Sequence, residues 1–397
     1  MNHDNLLQTL LINLEAKKNE IFEANKLDVS NATKNGKDTA FIERLTVSQK
    51  TFEGMVESLK SIIAQESPIG KVIEEWVVPH NGLKIQRISC AIGRVLIIYE
   101  SRPNVTLDAF ALCFKSGNKC ILRGGSESVL TSSKIVEIIH ATFDELGLGE
   151  TKTDFVQYVE NSDRSHLVSI LKKNDEIDLV IPRGGKGLIK FISENTTIPV
   201  LKHLDGNCHT YIENSANPQK AIEVLINAKM RRVSVCGATE TVVIDETFAK
   251  NYLSTIINSM PACEFVGCME SIRIDGRIKI ASDEDFYTEF LSAKIAVKIV
   301  QNVGEAVNFI NKYSSKHTEA ILSENHDAVA KFKEEIQSAI VIHNGSTQFA
   351  DGFEFGFGGE IGISTGKLHA RGPVALRELT TYKSFVEPAD GGYKVRG

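Results

Sequence analysis

The chain has 397 residues, 42% hydrophobic and 24% charged; at roughly 150 residues per domain this leaves room for two or three soluble globular domains. Lys plus Arg number 45 against 51 Asp plus Glu, a formal net charge of −6, which excludes a basic nucleic-acid-coating protein while allowing a local basic patch. The seven cysteines are odd in number and too sparse for a disulfide framework, so a reduced, cytoplasmic compartment is expected.

The start of the chain carries no signal-peptide pattern. No apolar run approaches the ~18 residues needed to span a bilayer.

Residues 1 to about 80 read as helical. Leu6, Leu7, Leu10, Leu11 and Leu14 fall at helical spacings, and a second periodic stretch covers 38–64. The Asn-, Asp- and Gly-rich segment 25–38 reads as a connection, and 79–82 as a turn.

From Gly93 the pattern changes to short apolar runs at 93–100, 118–124, 154–159, 178–184 and 198–204. Helical stretches at 105–115, 128–146, 164–173 and 186–193 lie between them. Strand followed by helix, repeated, predicts an α/β fold with a mostly parallel sheet. A second series follows, with strands near 208–213, 240–246, 294–300, 318–324 and 338–345, and helices at 219–230, 246–258, 303–313 and 325–335. Two α/β units joined near 205–215 are the natural division. The glycine-rich segment from Asp351 reads as a returning loop beside a site, and 379–386 as a late apolar run.

The sequence holds no GxGxxG, no GxxxxGK[ST], no HExxH and no CxxC pair, and its ten histidines are scattered. No metal is expected on spacing grounds. Three glycine turns are read as following strands: Lys115-Ser116-Gly117-Asn118, Arg123-Gly124-Gly125-Ser126 and Pro182-Arg183-Gly184-Gly185. Backbone N–H groups at a helix start, with an arginine beside them, suit a phosphate or dinucleotide. The plainer alternative is an ordinary turn whose glycines take positive φ.

Cys236 lies in MRRVSVCGATET after Arg231 and Arg232, where positive charge and backbone donors would favour a nucleophilic thiolate. The alternative is a small buried hydrophobe, the reading given to the other cysteines, with Cys208 beside His209 intermediate. Asn104 follows Pro103 at the head of a helix. It reads as an N-cap or as an amide donor to a developing oxyanion.

Together these pieces resemble the gamma-glutamyl phosphate reductase (glutamate-5-semialdehyde dehydrogenase) family, within the aldehyde dehydrogenase superfamily. The resemblance rests on YESRPNVTLDAFALCFKSGNKCILRGGSES, LVIPRGGKGLI, HLDGNCHTYIE, RRVSVCGATET, HTEAILSE and STQFADGFEFGFGGEIGISTGKLHARGPVALRELTTYK, in order over residues 90–385. It implies an aldehyde dehydrogenase-like fold with three parts. The first is a Rossmann-like cofactor domain at 1–205, completed by about 350–378. The second is a catalytic domain at 206–349, and the third an oligomerisation element from 379–397 with part of 121–150.

By resemblance Cys236 is the nucleophile and Asn104 the oxyanion donor. The cofactor stretch falls on Lys115, Gly117, Asn118, Arg123, Gly124, Gly125 and Ser126, with Pro182, Arg183, Gly184, Gly185 and Glu289 also assigned to the cofactor. Arg102, Arg232, His369 and Arg371 are assigned to substrate or phosphate, and Arg183 is a further candidate there. Where ordinary aldehyde dehydrogenases carry a water-activating Glu before two glycines, this chain has Leu204-Asp205-Gly206-Asn207-Cys208-His209. That departure suits release of an acyl group to phosphate.

The implied reaction is NADPH-dependent reduction of L-glutamyl 5-phosphate to L-glutamate 5-semialdehyde, the second step of proline biosynthesis. A homodimer or homotetramer and functional coupling to glutamate 5-kinase are also implied, with no nucleic acid or membrane partner. An acylating aldehyde dehydrogenase for another acyl phosphate or an acyl-CoA, and a non-catalytic scaffold, remain the alternatives.

Overall fold

The computed structural model describes residues 3–100 and 102–396. Two compact units divide them: one built from 3–202, 356–362 and 374–396, the other from 203–355 and 363–373.

The first unit opens with four helices, α1 (His3–Ala16), α2 (Lys18–Lys34), α3 (Thr39–Leu45) and α4 (Gln49–Ala64). Leu6, Leu7, Leu10 and Leu14 are fully buried, each worth about 1.5–3 kcal/mol of apolar burial. The segment expected to be a connection is therefore mostly helix. Two of its polar residues are internal: Asn25 Nδ2 donates to Leu45 O (2.9 Å) and Asp28 Oδ2 accepts from the Thr131 backbone N–H (2.8 Å). Polar side chains turned inward hide the helical period from a hydrophobicity reading.

Two antiparallel strands follow, β1 (Val72–Val77) and β2 (Leu83–Ala91). The all-helical expectation for 1–80 thus fails at β1, a strand exposed on both faces.

The parallel sheet contains β3 (Arg94–Tyr99), β4 (Lys119–Arg123), β5 (Val156–Tyr158) and β6 (Leu179–Arg183), in the order β5-β4-β3-β6. Its connections carry α5 (Asn104–Lys115), α6 (Val129–Glu145), the single turn α7 (Lys152–Phe155) and α8 (Arg164–Leu171), and α9 (Lys186–Asn195) follows β6. Leu96, Ile98, Ile121, Val180, Leu171 and Ile192 form a core between sheet and helices. The strand expected at 198–204 reduces to one bridge, Val180 to Val200.

The second unit holds β7 (Cys208–Ile212), α10 (Pro218–Met230), β8 (Thr239–Asp245), α11 (Glu246–Ser259), β9 (Glu264–Gly267), α12 (Met269–Ile274), β10 (Lys279–Ile280), α13 (Asp283–Tyr287), β11 (Lys294–Val300), α14 (Val303–Tyr313), β12 (Thr318–Leu322), α15 (His326–Glu335) and β13 (Ile340–His343). Its seven-stranded sheet runs β10-β9-β11-β8-β7-β12-β13, with parallel pairing throughout. Central strands such as β8 are buried along their whole length, as a sheet covered on both faces requires.

Two short strands follow, β14 (Gly362–Ser364) and β15 (Gly372–Val374), and then β16 (Thr380–Pro388). β16 pairs antiparallel with β2 over its full length, completing a three-stranded sheet. Its partner is therefore 83–91. Residues 121–150, part of which was assigned with 379–397 to an oligomerisation element, lie in β4, α6 and their connections.

Candidate functional site

In the first unit the sheet order reverses at β3, whose neighbours are β4 and β6. Clefts of α/β sheets form at such a point, beyond the carboxyl ends of the strands. A cleft of about 440 Å³ lies there, lined among others by Glu100, residues 123–126, Arg164, Leu188 and Phe191.

Gly124 brings its backbone against aromatic side chains. A Cβ at that position would stand 3.1 Å from Tyr158 Oη and 3.3 Å from Tyr99 Cε2. Close approach, rather than positive φ, is the reason for glycine here. Arg123 is 7% exposed. Its Nη2 donates to Ser162 O (2.5 Å), and burial lowers its pKa. Arg164 is the exposed cation of the cleft, its guanidinium 5.6 Å from the Phe191 ring centroid.

The other two glycine turns differ from expectation. Lys115, Gly117 and Asn118 sit between the C-terminus of α5 and the start of β4, at the opposite edge of the sheet. Lys115 is fully buried, with its ammonium on Asp4 Oδ1 (2.5 Å) and Ile63 O (2.8 Å). Gly117 takes φ +73° after the helix. Asn118 accepts from Gly93 N (2.9 Å) and donates to Leu379 O (2.7 Å). These three residues join elements and do not line the cleft.

At the turn after Pro182, the Gly185 N–H donates to Glu100 Oε2 (2.9 Å), so a carboxylate of the chain occupies the place expected for an anion. A Cβ on Gly184 would fall 2.7 Å from Glu100 Cδ. Arg183 packs on Gly362, whose Cβ would lie 2.9 Å from Arg183 Cδ, and its guanidinium stands 4.0 Å from Glu360 Oε1.

Asn104 is the first residue of α5, and Pro103 holds the cap position. The cap reading is replaced by another contact: the Asn104 amide hydrogen-bonds Asp108 one turn on. Burial pushes the Asp108 carboxyl up to about 6, while hydrogen bonds from Ser58 and Asn104 pull it down. The Ser58 hydroxyl donates at 2.7 Å. Arg102, just before the helix, is exposed.

In the second unit Cys236 is half-buried on the loop from α10 to β8. Gln348 fastens the end of α10 to the start of this loop, its Nε2 donating to Ala228 O (2.9 Å) and Arg232 O (3.4 Å). Thr239 Oγ1 links Thr210 (2.7 Å) and Thr347 (2.9 Å) at its end. Gly206 presses directly on the nucleophile candidate: a Cβ there would stand 2.0 Å from Cys236 O and 2.5 Å from its Cα.

Cys208 Sγ donates to Cys236 O (3.1 Å), and burial raises its thiol pKa well above the ordinary range. Asn207 Nδ2 donates to Phe286 O (2.8 Å) and Tyr313 O (2.9 Å). His209 is fully buried against Glu319, whose Oε2 accepts from its backbone N–H (2.8 Å).

Among the described residues the scattered histidines conceal one grouping. His203, Cys236 and His317 each bring a ligand-type atom within 4.8 Å of the others. The His203 Nδ1 donates to Ile363 O (2.8 Å), and His317 Nδ1 is bonded to Thr318 Oγ1 (2.8 Å). Both histidines lay in stretches that carried the family resemblance, yet no spacing rule joins them to Cys236.

The remaining assigned residues are dispersed in this unit. Arg232 is exposed. His369 is exposed on the segment 363–373, while Arg371 Nη2 donates to Gln337 O (2.6 Å). Glu289 lies on the loop after α13, near the buried Lys229–Glu240 ion pair, where burial pushes the Glu240 carboxyl up to about 7 and the Glu289 charge adds a smaller push the same way.

The chain is similar to proteins of known identity over nearly its whole length. A gamma-glutamyl phosphate reductase of Erythrobacter litoralis (strain HTCC2594) is 46% identical over 367 residues, covering 92% of this chain and 86% of that protein. The crystal structure of gamma-glutamyl phosphate reductase from Thermotoga maritima superposes with a TM-score of 0.94 at 41% identity, covering 100% of this chain and 94% of that one. An acetylating aldehyde dehydrogenase of Geobacillus thermoglucosidasius has a TM-score of 0.67 at 14% identity, covering 100% and 93% of the two chains, a likeness of fold alone. No protein-family model matches the sequence. With this identity and coverage, the chain belongs to the gamma-glutamyl phosphate reductase family.

Proposed function

We propose that this chain reduces L-glutamyl 5-phosphate to L-glutamate 5-semialdehyde and phosphate, with NADPH as the reductant, in proline biosynthesis. The observation that carries the reading is 46% identity to a gamma-glutamyl phosphate reductase over 92% of the chain, together with a half-buried cysteine on a loop clamped by Gly206 and Gln348.

The Cys236 thiolate attacks the acyl carbon of the substrate. A C–S bond forms, the C–O bond to phosphate breaks, and phosphate leaves with the electron pair. The nicotinamide, when bound, supplies the hydride that converts the thioester to a thiohemiacetal. That species collapses to the aldehyde and returns the thiolate. Asn104 serves as an oxyanion donor, a role whose loss typically costs on the order of 10²–10³ in rate. Asn207 is held by two carbonyls and Cys208 is a buried thiol, so neither supplies a base that would hydrolyse the thioester.

The first unit's cleft fits a dinucleotide. Gly124 and Gly125 line it, and Phe191 and Leu188 offer apolar walls. Arg164 is the cation we assign to the ribose 2′-phosphate that distinguishes NADPH. Arg102, Arg232, His369 and Arg371 are assigned to the substrate's phosphate and carboxylate. The exposed three-stranded sheet presents Ile73, Trp76, Tyr382 and Phe385 and is the surface we assign to a homodimer or homotetramer. We place the enzyme in the cytoplasm, functionally coupled to glutamate 5-kinase.

Cys236→Ala tests the chemistry. Turnover is expected to fall to background while cofactor binding and thermal unfolding stay unchanged. Near-normal turnover removes Cys236 from this role.

A further inference from the structure

We propose that His203, Cys236 and His317 form a binding site for a thiophilic divalent cation, Zn²⁺ or its analogues, and that its occupation reversibly locks the cysteine. The cation-binding part stands on geometry alone; the locking consequence rests on the reading of Cys236 as nucleophile.

Three observations carry the site. The ligand-type atoms of the three side chains lie within 4.8 Å of one another. A tetrahedral zinc bonded at 2.0–2.3 Å holds neighbouring ligand atoms about 3.3–3.8 Å apart, so an inward movement of about 1 Å per pair completes the coordination. The donor set, one thiolate and two imidazoles, suits Zn²⁺, Co²⁺ or Cd²⁺ and not the oxygen-seeking Mg²⁺ or Ca²⁺.

The second observation is the tautomer. A carbonyl oxygen only accepts, so His203 Nδ1 carries the proton it donates to Ile363 O at 2.8 Å. The neutral ring then presents the lone pair of Nε2, the arrangement in which metal-binding histidines are held by a backbone carbonyl. His317 has its Nδ1 engaged with Thr318 Oγ1 at 2.8 Å, so it coordinates through Nε2.

The third is the identity of the sulfur. Cys208 is buried, its thiol bonded to Cys236 O (3.1 Å) and 3.6 Å from His317 Nδ1. Cys236 is the half-buried residue of the pair, and its sulfur is the one grouped with the two histidines.

Binding exchanges a proton for the cation: the Cys236 S–H bond breaks, an S–metal bond forms, and one H⁺ leaves to solvent. No oxidant or reductant is involved. Three protein ligands leave a fourth position for water. The sulfur electron pair that would attack an acyl carbon is held on the metal, and a chelator returns it.

The experiment uses the full-length protein without cofactor. Zn²⁺ is titrated by calorimetry, Co²⁺ by absorption, and alkylation by iodoacetamide is mapped to individual cysteines by mass spectrometry. One Zn²⁺ per chain, a thiolate-to-cobalt charge-transfer band, and protection of Cys236 reversed by EDTA are expected. His203→Gln and His317→Gln should each weaken Zn²⁺ at least about tenfold.

Binding that is unchanged in Cys236→Ser, or alkylation of Cys236 at the same rate with and without saturating Zn²⁺, overturns the site. The alkylation arm uses unmodified protein, so it decides the matter even where a histidine variant fails to fold. If Cys236→Ala keeps turnover, the nucleophile reading fails and the locking consequence with it, while the cobalt band separately decides the site.

Discussion

Gly206 and Cys236 meet backbone to backbone, and the space between them admits no side chain. Alanine at 206 has no flexible neighbour to displace, so the cysteine loop itself must move. Displacing a reacting group by about 1 Å typically costs on the order of 100-fold in rate. Gly206→Ala is therefore expected to lower kcat about 100-fold with the fold intact by circular dichroism; wild-type kcat would show that the loop's placement is unimportant. Asp108 gives a second residue-level prediction. Its carboxyl stands at about 6, above the ordinary 3.8, chiefly through burial. Its contribution to stability is thus fully present below about pH 4 and is lost as pH rises through about 6. Asp108→Asn should flatten that part of the stability–pH curve in denaturant titrations, and an identical curve would show that Asp108 does not set it. The residues near Cys236 were legible in uneven measure. MRRVSVCGATET drew attention to Cys236 through its neighbours, but His203 and His317 join it only through the fold of the chain.

At the scale of elements, hydrophobic period served well where one face is apolar and poorly where polar groups turn inward. The strands 94–99, 119–123 and 239–245 and the helices between them follow the expected alternation. Helix α2 was hidden by Asn25 and Asp28, which bond internally to Leu45 O and the Thr131 N–H. The strands 264–267 and 279–280 escaped notice because four and two residues carry too little pattern. The three glycine turns looked alike in sequence, yet element order separates them: a turn leading into a strand lies at the wrong edge of the sheet for a ligand. The turn at 123–126 lines the cleft, with Arg164 on the facing helix start. An ionic hydrogen bond is worth about 1.5–3 kcal/mol. Arg164→Ala should thus raise the KM for NADPH at least about tenfold and leave that for NADH nearly unchanged. Equal effects on both cofactors would exclude Arg164 as the 2′-phosphate contact.

For the whole molecule, the division into two α/β units near 205–215 was legible because two strand–helix series are separated there, and the structure sets the boundary after residue 202. The late strand at 380–388 was legible as an apolar run, but its partner was not: β2 lies nearly 300 residues away in sequence, and pairing across that distance leaves no local signature. Among the described residues no helix is long and apolar enough to cross a membrane. The proposed exchange of an acyl group between Cys236 and phosphate is a property of the whole molecule. It is tested most directly by following NADP⁺ reduction with glutamate 5-semialdehyde in the presence and absence of inorganic phosphate. Turnover is expected to depend on phosphate and not to be supported by coenzyme A; oxidation at the same rate without phosphate would rule out acyl transfer to phosphate.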